Sequence, residues 1–269
     1  MAVEKAALFV DNSNIFKGMS SYAAALRKAG KLNAEQYLRV RWDVLLQYLE
    51  AQNGGIDIYA RHFFASLPPA ADVSKLRRLP SEKEWQEMVK KSAQAGFYRV
   101  IQNPPFNFTL HAVPLRFAKV RCGNWMRRAY YKCLNASDGS LGCSLSLNPD
   151  ECYDCGRLFL YKYEKGVDVA LAAQLVIFGS TKGTRMDRII LIAGDGDYKE
   201  AIRFCRQDLG KDVQLVSWRR ALSGDLERYA NKQCIILDDI WDKICEIRER
   251  PPLEEIPAAD VAEETEDSA

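Results

Sequence analysis

The chain is predicted to fold as an α/β protein with a mostly parallel sheet covered by helices on both faces. Three observations lead there. Short apolar runs alternate with amphipathic helical stretches along most of its 269 residues. The runs read as strands buried on both sides, the pattern of a parallel sheet. Hydrophobic residues make up 48% of the chain, enough to bury a substantial core.

In order, strands are expected at 7–10, 57–64, 97–101, 189–193, 213–216 and 235–237. Helical patterns fall between them at 42–50, 81–95, 165–178, 198–207 and 222–230. The first strand, Ala7-Leu8-Phe9-Val10, runs straight into Asp11, Asn12, Ser13 and Asn14, with helix-forming residues beyond. A last helix, from Trp241 to about Arg248, stops before Pro251 and Pro252, which cannot continue it. Between residues 104 and 163 the alternation lapses, and basic, aromatic, Gly and Cys residues take over. A structureless loop of that length is unusual in a compact domain, so the stretch reads as an inserted subdomain. The organisation expected is one domain over 1–250, interrupted by a Cys-rich insertion at 104–163. Residues 251–269 are acidic, lack aromatics and read as a disordered tail.

The formal charge of +2 hides its distribution, because 38 basic and 36 acidic residues nearly cancel. Arg116, Lys119, Arg121, Arg127, Arg128 and Lys132 lie in one segment with no acid among them. The N-terminus has neither the charged nor the apolar region of a signal peptide, and no apolar run approaches the ~18 residues of a membrane span. A cytoplasmic protein without membrane contact is expected. In a reducing compartment the eight cysteines are metal ligands or core residues more often than disulfides.

Ligands of an open parallel sheet collect beyond the carboxyl ends of its strands. Asp11 follows the first strand, and Asp195 and Asp197 follow "IILIAG" with Gly194 and Gly196 permitting a tight turn. Asp168 is the only acid in a helical run, 167–178, that is otherwise almost wholly apolar. Carboxylates converging on one point repel and need a cation, and an all-oxygen set suits Mg²⁺ or Mn²⁺. Such ions align a water and stabilise the leaving oxygen in phosphodiester hydrolysis. Each acid also has a plainer explanation. Asp11 can cap the next helix, Asp195 and Asp197 can form a capping turn, and Asp168 can be a first-turn acid favoured by the helix dipole. Their joint placement at one sheet edge favours the metal site.

The blocks "FVDNSNIF", "KGVDVALAAQLV" and "LIAGDGDYKEAIRF" resemble, in order, the three signature blocks of the NYN domain family, including its LabA-like bacterial branch. That family belongs to the PIN-like nuclease group. The resemblance implies a Rossmann-like (PIN-like) parallel sheet, a metal-dependent acidic site and endoribonuclease activity. It carries the catalytic and metal-binding roles to Asp11, Asp168, Asp195 and Asp197, and a polar partner role to Asn14, three residues after Asp11. It covers the sheet-forming parts and little of residues 20–163.

Five cysteines, Cys122, Cys133, Cys143, Cys152 and Cys155, fall in the insertion, the last pair in "CYDCGR". A C-x-x-C followed by Gly has the shape of a zinc knuckle. Cys133, Cys143, Cys152 and Cys155 are the expected Zn²⁺ ligands, with Cys122 as an alternative; buried thiols and, less so, a redox pair are the other readings. The segment "RFAKVRCGNWMRRAYYK" interleaves Arg121, Arg127, Arg128 and Lys132 with Trp125 and Tyr130. Cations for phosphates and rings for bases suit single-stranded RNA, while a solvated hairpin packing its rings on the zinc site is the plainer alternative. Cys205, Cys234 and Cys245 read as core, and His62 and His111, which lie in no motif, as structural.

A metal-dependent endoribonuclease is therefore expected. The competitors are a non-catalytic RNA-binding or regulatory module and a phosphatase of the haloacid dehalogenase type. The latter requires a second Asp two positions after Asp11, where this chain has Ser13. The terminal helix and tail are candidate protein contacts. Metal analysis of the purified protein should find about one zinc per chain, lost when Cys152 and Cys155 are replaced together; a zinc-free folded protein would refute the knuckle.

Overall fold

Strand β1 (Lys5–Asp11) lies at the centre of the molecule, with no solvent exposure at any residue from Ala6 to Val10. The protein is described by a computed structural model that covers residues 4–66, 83, 93–113, 116–119, 160–163, 166–181, 188–229 and 234–249. After β1 come α1 (Asn12–Lys28), β2 (Gln36–Val40), α2 (Trp42–Gln52), β3 (Asp57–Ser66), α3 (Ala93–Gln102) and β4 (Thr109–Val113). A ribbon of β5 (Arg116–Lys119) and β6 (Leu160–Tyr163) follows, then α4 (Val167–Ser180), β7 (Arg188–Ile192), α5 (Lys199–Gln207) and β8 (Asp212–Ser217). The described chain ends with the helical turn α6 (Gly224–Glu227), β9 (Ile235–Ile236), the helical turn α7 (Trp241–Ile244) and β10 (Cys245–Glu249).

Six strands form one parallel sheet in the order β4-β3-β1-β7-β8-β9. Counted within that sheet this is the doubly wound order 3-2-1-4-5-6, with the reversal between β1 and β7. The period of two sends successive side chains to opposite faces. Ala6, Leu8 and Val10 join a core with Ile15 of α1, Leu45 of α2 and Ile101 of α3. Ala7 and Phe9 join a second core with Leu171 and Leu175 of α4 and Ile202 of α5. The expected α/β class, parallel sheet and two-sided helix cover are thus present.

Several local expectations change. Residues 97–101 are helical rather than a strand: within α3, Tyr98 and Ile101 are buried while the intervening Val100 is 54% exposed, a helical rather than alternating burial. The final helix is cut to Trp241–Ile244, because Cys245–Glu249 pairs antiparallel with β2, a strand not anticipated, placing Glu246 opposite Arg39. The helix expected at 222–230 shrinks to Gly224–Glu227. Within the stretch expected as an insertion, Thr109–Val113 forms β4, an edge strand of the parallel sheet. β5 and β6 pair antiparallel, so the chain departs and returns at one place. The helix expected at 81–95 falls largely outside the described residues, as does the tail at 251–269. Cys205, Cys234 and Cys245 are buried free thiols, as expected of core residues, and burial pushes them up to about 11, 12 and 12.

His62 and His111, on neighbouring strands, form a structural pair. His62 Nδ1 lies 3.0 Å from His111 Nε2, and the two rings stack on Phe9 and Phe64. His62 Nε2 is buried and finds no hydrogen-bond partner among the described residues. Burial and, secondarily, the neighbouring imidazole pull His62 from 6.5 to about 4; burial also lowers His111. The folded state therefore takes up the proton later than the unfolded chain as pH falls. The stability this provides is present above about 6.5 and is lost as pH approaches about 4. Urea midpoints measured from pH 7 to pH 4 should fall by the equivalent of on the order of 2 kcal/mol, and His62→Leu should flatten that dependence.

Candidate active site

Asp11 is the last residue of β1 and, by its extended backbone, the N-cap of α1. Its Oδ1 accepts the backbone N–H of Asn14 at 3.0 Å, satisfying one of the donors a helix leaves unpaired at its start. Its Oδ2 accepts the hydroxyl of Tyr198 at 2.9 Å. The carboxylate is only 2% exposed, an environment that costs several kcal/mol unless hydrogen bonds replace the lost water.

The same hydroxyl lies 2.9 Å from Oδ1 of Asp168. Asp168 stands in the first turn of α4, where the helix dipole favours an acid. The helix is started by Gly166 at φ 100°, in the left-handed region that glycine occupies without strain. Two carboxylates from different elements thus meet at one phenol, their facing oxygens no further apart than about twice that distance. Tyr198 is fully buried; burial first, then the two carboxylates, raise its pKa, so it stays protonated. One phenolic proton serves two acceptors.

Tyr198 ends a single helical turn, Gly196–Tyr198, that follows β7. Asp195 caps this turn by accepting the backbone N–H of Asp197 at 3.1 Å. Both Asp195 and Asp197 are exposed. Gly194 is required by space: a Cβ there would collide with the backbone of Ala221 and lie 2.6 Å from Ser217 Oγ. The backbone N–H of Ser223 donates to Gly194 O at 2.7 Å, fixing the turn beneath the following loop. In register, Val10 pairs with Ile192, so Asp11 and the 193–198 turn face each other across the switch point.

The sequence-predicted acids therefore divide. Asp11 and Asp168 are brought together, with Asn14 holding Asp11 through its backbone, while Asp195 and Asp197 occupy the adjoining exposed turn. Among the described residues no group of three or more His, Cys, Asp or Glu is placed to hold a metal ion unaided. Tyr198 was missed, although it stands directly after Asp197 in "GDGDY", an aromatic in a turn otherwise of Gly and Asp. The predicted zinc ligands Cys122, Cys133, Cys143, Cys152 and Cys155 lie outside the described residues. So do the predicted RNA contacts Arg121, Trp125, Arg127, Arg128, Tyr130 and Lys132.

Acidic residues thus gather at the switch point of a doubly wound sheet, an arrangement consistent with a PIN-like fold. The model of the NYN domain family matches residues 139–238, a little over a third of the chain. The match takes in Asp168, Asp195, Asp197 and Tyr198; Asp11 precedes it. No curated protein matches the chain. The chain is similar to a protein of unknown function from Vibrio parahaemolyticus known from a crystal structure, at 15% identity and a TM-score of 0.44, over 91% of this chain and 97% of that one. Among the described residues no helix is long and apolar enough to cross a membrane.

Tyr198→Phe removes the only proton the two carboxylates share through this ring while keeping its volume. Thermal or urea unfolding should show a loss of about 1–3 kcal/mol at pH 7; an unchanged midpoint would mean that the bridge carries no weight.

Proposed function

We propose that the chain is a metal-dependent endoribonuclease that hydrolyses phosphodiester bonds of single-stranded RNA at the edge formed by Asp11, Asp168, Asp195 and Asp197. The observation that carries this reading is the meeting of Asp11 and Asp168 at the Tyr198 hydroxyl, at the crevice where doubly wound sheets bind ligands. Within the NYN family the three sequence blocks favour the LabA-like branch.

The donor set fits a hard divalent cation, because every side chain in it offers oxygen. Two carboxylates, with no third grouped with them among the described residues, suit Mg²⁺, which keeps several waters and binds through one or two carboxylates plus substrate phosphate. Asp11 and Asp168 would hold it, with Asp195 or Asp197 reached through water. When bound, Mg²⁺ or Mn²⁺ supplies charge neutralisation at the phosphate and a water of lowered pKa.

The protein's own groups prepare that site. The Asn14 N–H and the Tyr198 hydroxyl fix the Asp11 carboxylate, and Tyr198 ties it to Asp168. The exposed Asp195 and Asp197 line the approach of the substrate. The β5–β6 ribbon leaves two residues after β4 and returns just before α4, beside the same edge. The basic, aromatic and cysteine residues between those strands support a zinc-stabilised RNA-binding flap there. The reading assigns the protein to the cytoplasm and its terminal segment to protein contact rather than to cleavage.

Incubation of labelled single-stranded RNA with Mn²⁺ should give cleavage that EDTA stops. Asp11→Asn and Asp195→Asn should each reduce it by ~100-fold or more with the fold intact by circular dichroism. Cleavage unchanged in Asp11→Asn would leave the acidic pair as a capping and packing element, and the chain as an RNA-binding module.

A further inference from the structure

A cleft of about 870 Å³ opens between the first half of α1, β2 and α3, on the opposite side of β1 from α4. Its polar end is formed by Asn12 and Ser13, directly after Asp11, with Ser66 and Gln94. These groups gather around one hydroxyl: Tyr98 Oη accepts from Gln94 Nε2 at 2.7 Å and donates to Ser66 O at 3.1 Å. Asn12 Nδ2 reaches the same oxygen at 3.5 Å. The cleft therefore begins at the residue that follows Asp11 in the chain.

Away from that end the lining becomes apolar and then cationic. Phe16 of α1 is 60% exposed and Val100 of α3 is 54% exposed, large side chains that folding leaves in water at the cleft. Lys17, Arg39, Arg41 and Arg248 line it against only Asp43 and Glu246. The ion pairs of Arg39 with Glu246 at 3.6 Å and Arg41 with Asp43 at 3.7 Å are solvent-facing and weak, so both guanidinium groups can turn to another anion at little cost.

We propose that this cleft seats unpaired nucleotides flanking the scissile phosphate of a single-stranded RNA, with a base stacked on Phe16 and phosphates met by Lys17, Arg39 and Arg41. The inference rests on the nuclease reading of Asp11, whose chain neighbours Asn12 and Ser13 line the cleft. Aromatic rings beside a cationic wall are the means by which proteins hold single strands, whose base faces are open; in a duplex those faces are stacked on each other. The net positive lining favours a polyanion over an apolar protein segment as occupant.

The test uses the full chain in EDTA, so that binding is read without turnover. Fluorescence anisotropy would follow a labelled single-stranded RNA of about 12 nucleotides and its duplex. Phe16→Ala should weaken single-strand binding about tenfold and Phe16→Tyr should restore it, whereas the duplex should bind more weakly and ignore both changes. Arg39→Gln combined with Arg41→Gln should reduce the slope of log K against log salt by about 1.4. Unchanged single-strand binding in both sets of variants overturns the proposal. So does a change of oligomeric state by sedimentation velocity without loss of RNA binding, which would make the cleft a protein contact. If the Phe16 effect appears but Asp11→Asn still cleaves, only the nuclease reading fails. If cleavage needs Asp11 but Phe16→Ala binds normally, only the cleft assignment fails.

Discussion

A single phenolic proton between two carboxylates ties together the end of β1, the start of α4 and the turn after β7. The Tyr198 oxygen must stand 2.9 Å from both Asp11 and Asp168 while the ring is wholly buried. That demand propagates outward. Gly194 must lack a side chain so that the turn can pass beneath Ala221, and Gly166 must take a left-handed conformation so that α4 begins with Asp168 in its first turn. A buried carboxylate is costly when unsatisfied, so a small displacement of any of the three elements would be penalised. The geometry of the edge is thereby held before any ligand arrives.

The two ends of the sheet treat charge in opposite ways. At the amino end, the nearly buried Arg188 at the start of β7 is paired with Asp212 at 2.7 Å and donates to Asn53 at 2.6 Å. Opposite charges there cancel, as a structural anchor requires. At the carboxyl end, acids are collected with one another and with a neutral hydroxyl, an arrangement that invites a cation. On the far face of β1 the lining of the α1–β2–α3 cleft is cationic. A chain whose total charge is nearly neutral thus presents regions of opposite sign around its central strand.

Capping does not use up what these acids offer. Asp11 uses one oxygen for the Asn14 N–H and the other for Tyr198, and Asp195 likewise caps the turn that places Asp197 and Tyr198. In Asp11 the cap orients the carboxylate so that its second oxygen meets Tyr198. Sequence patterns read each acid as one or the other because they register residue type and spacing, whereas a carboxylate has two oxygens that can serve different partners.

Hydrophobic periodicity and its interruptions were enough to read the α/β class, the buried central strand, the parallel arrangement and the strand ends that carry acids. The sequence by itself did not determine that 97–101 would be helical or that Cys245–Glu249 would pair with Gln36–Val40, since short apolar or alternating runs are settled by the partners they meet. Nor did it single out Tyr198, whose importance lies in reaching two residues 187 and 30 positions away. The cleft beside Phe16 is likewise a product of three elements that no local pattern connects. Which residues touch is a property of the folded chain, because contacts between distant segments depend on the topology that brings them to one edge of the sheet.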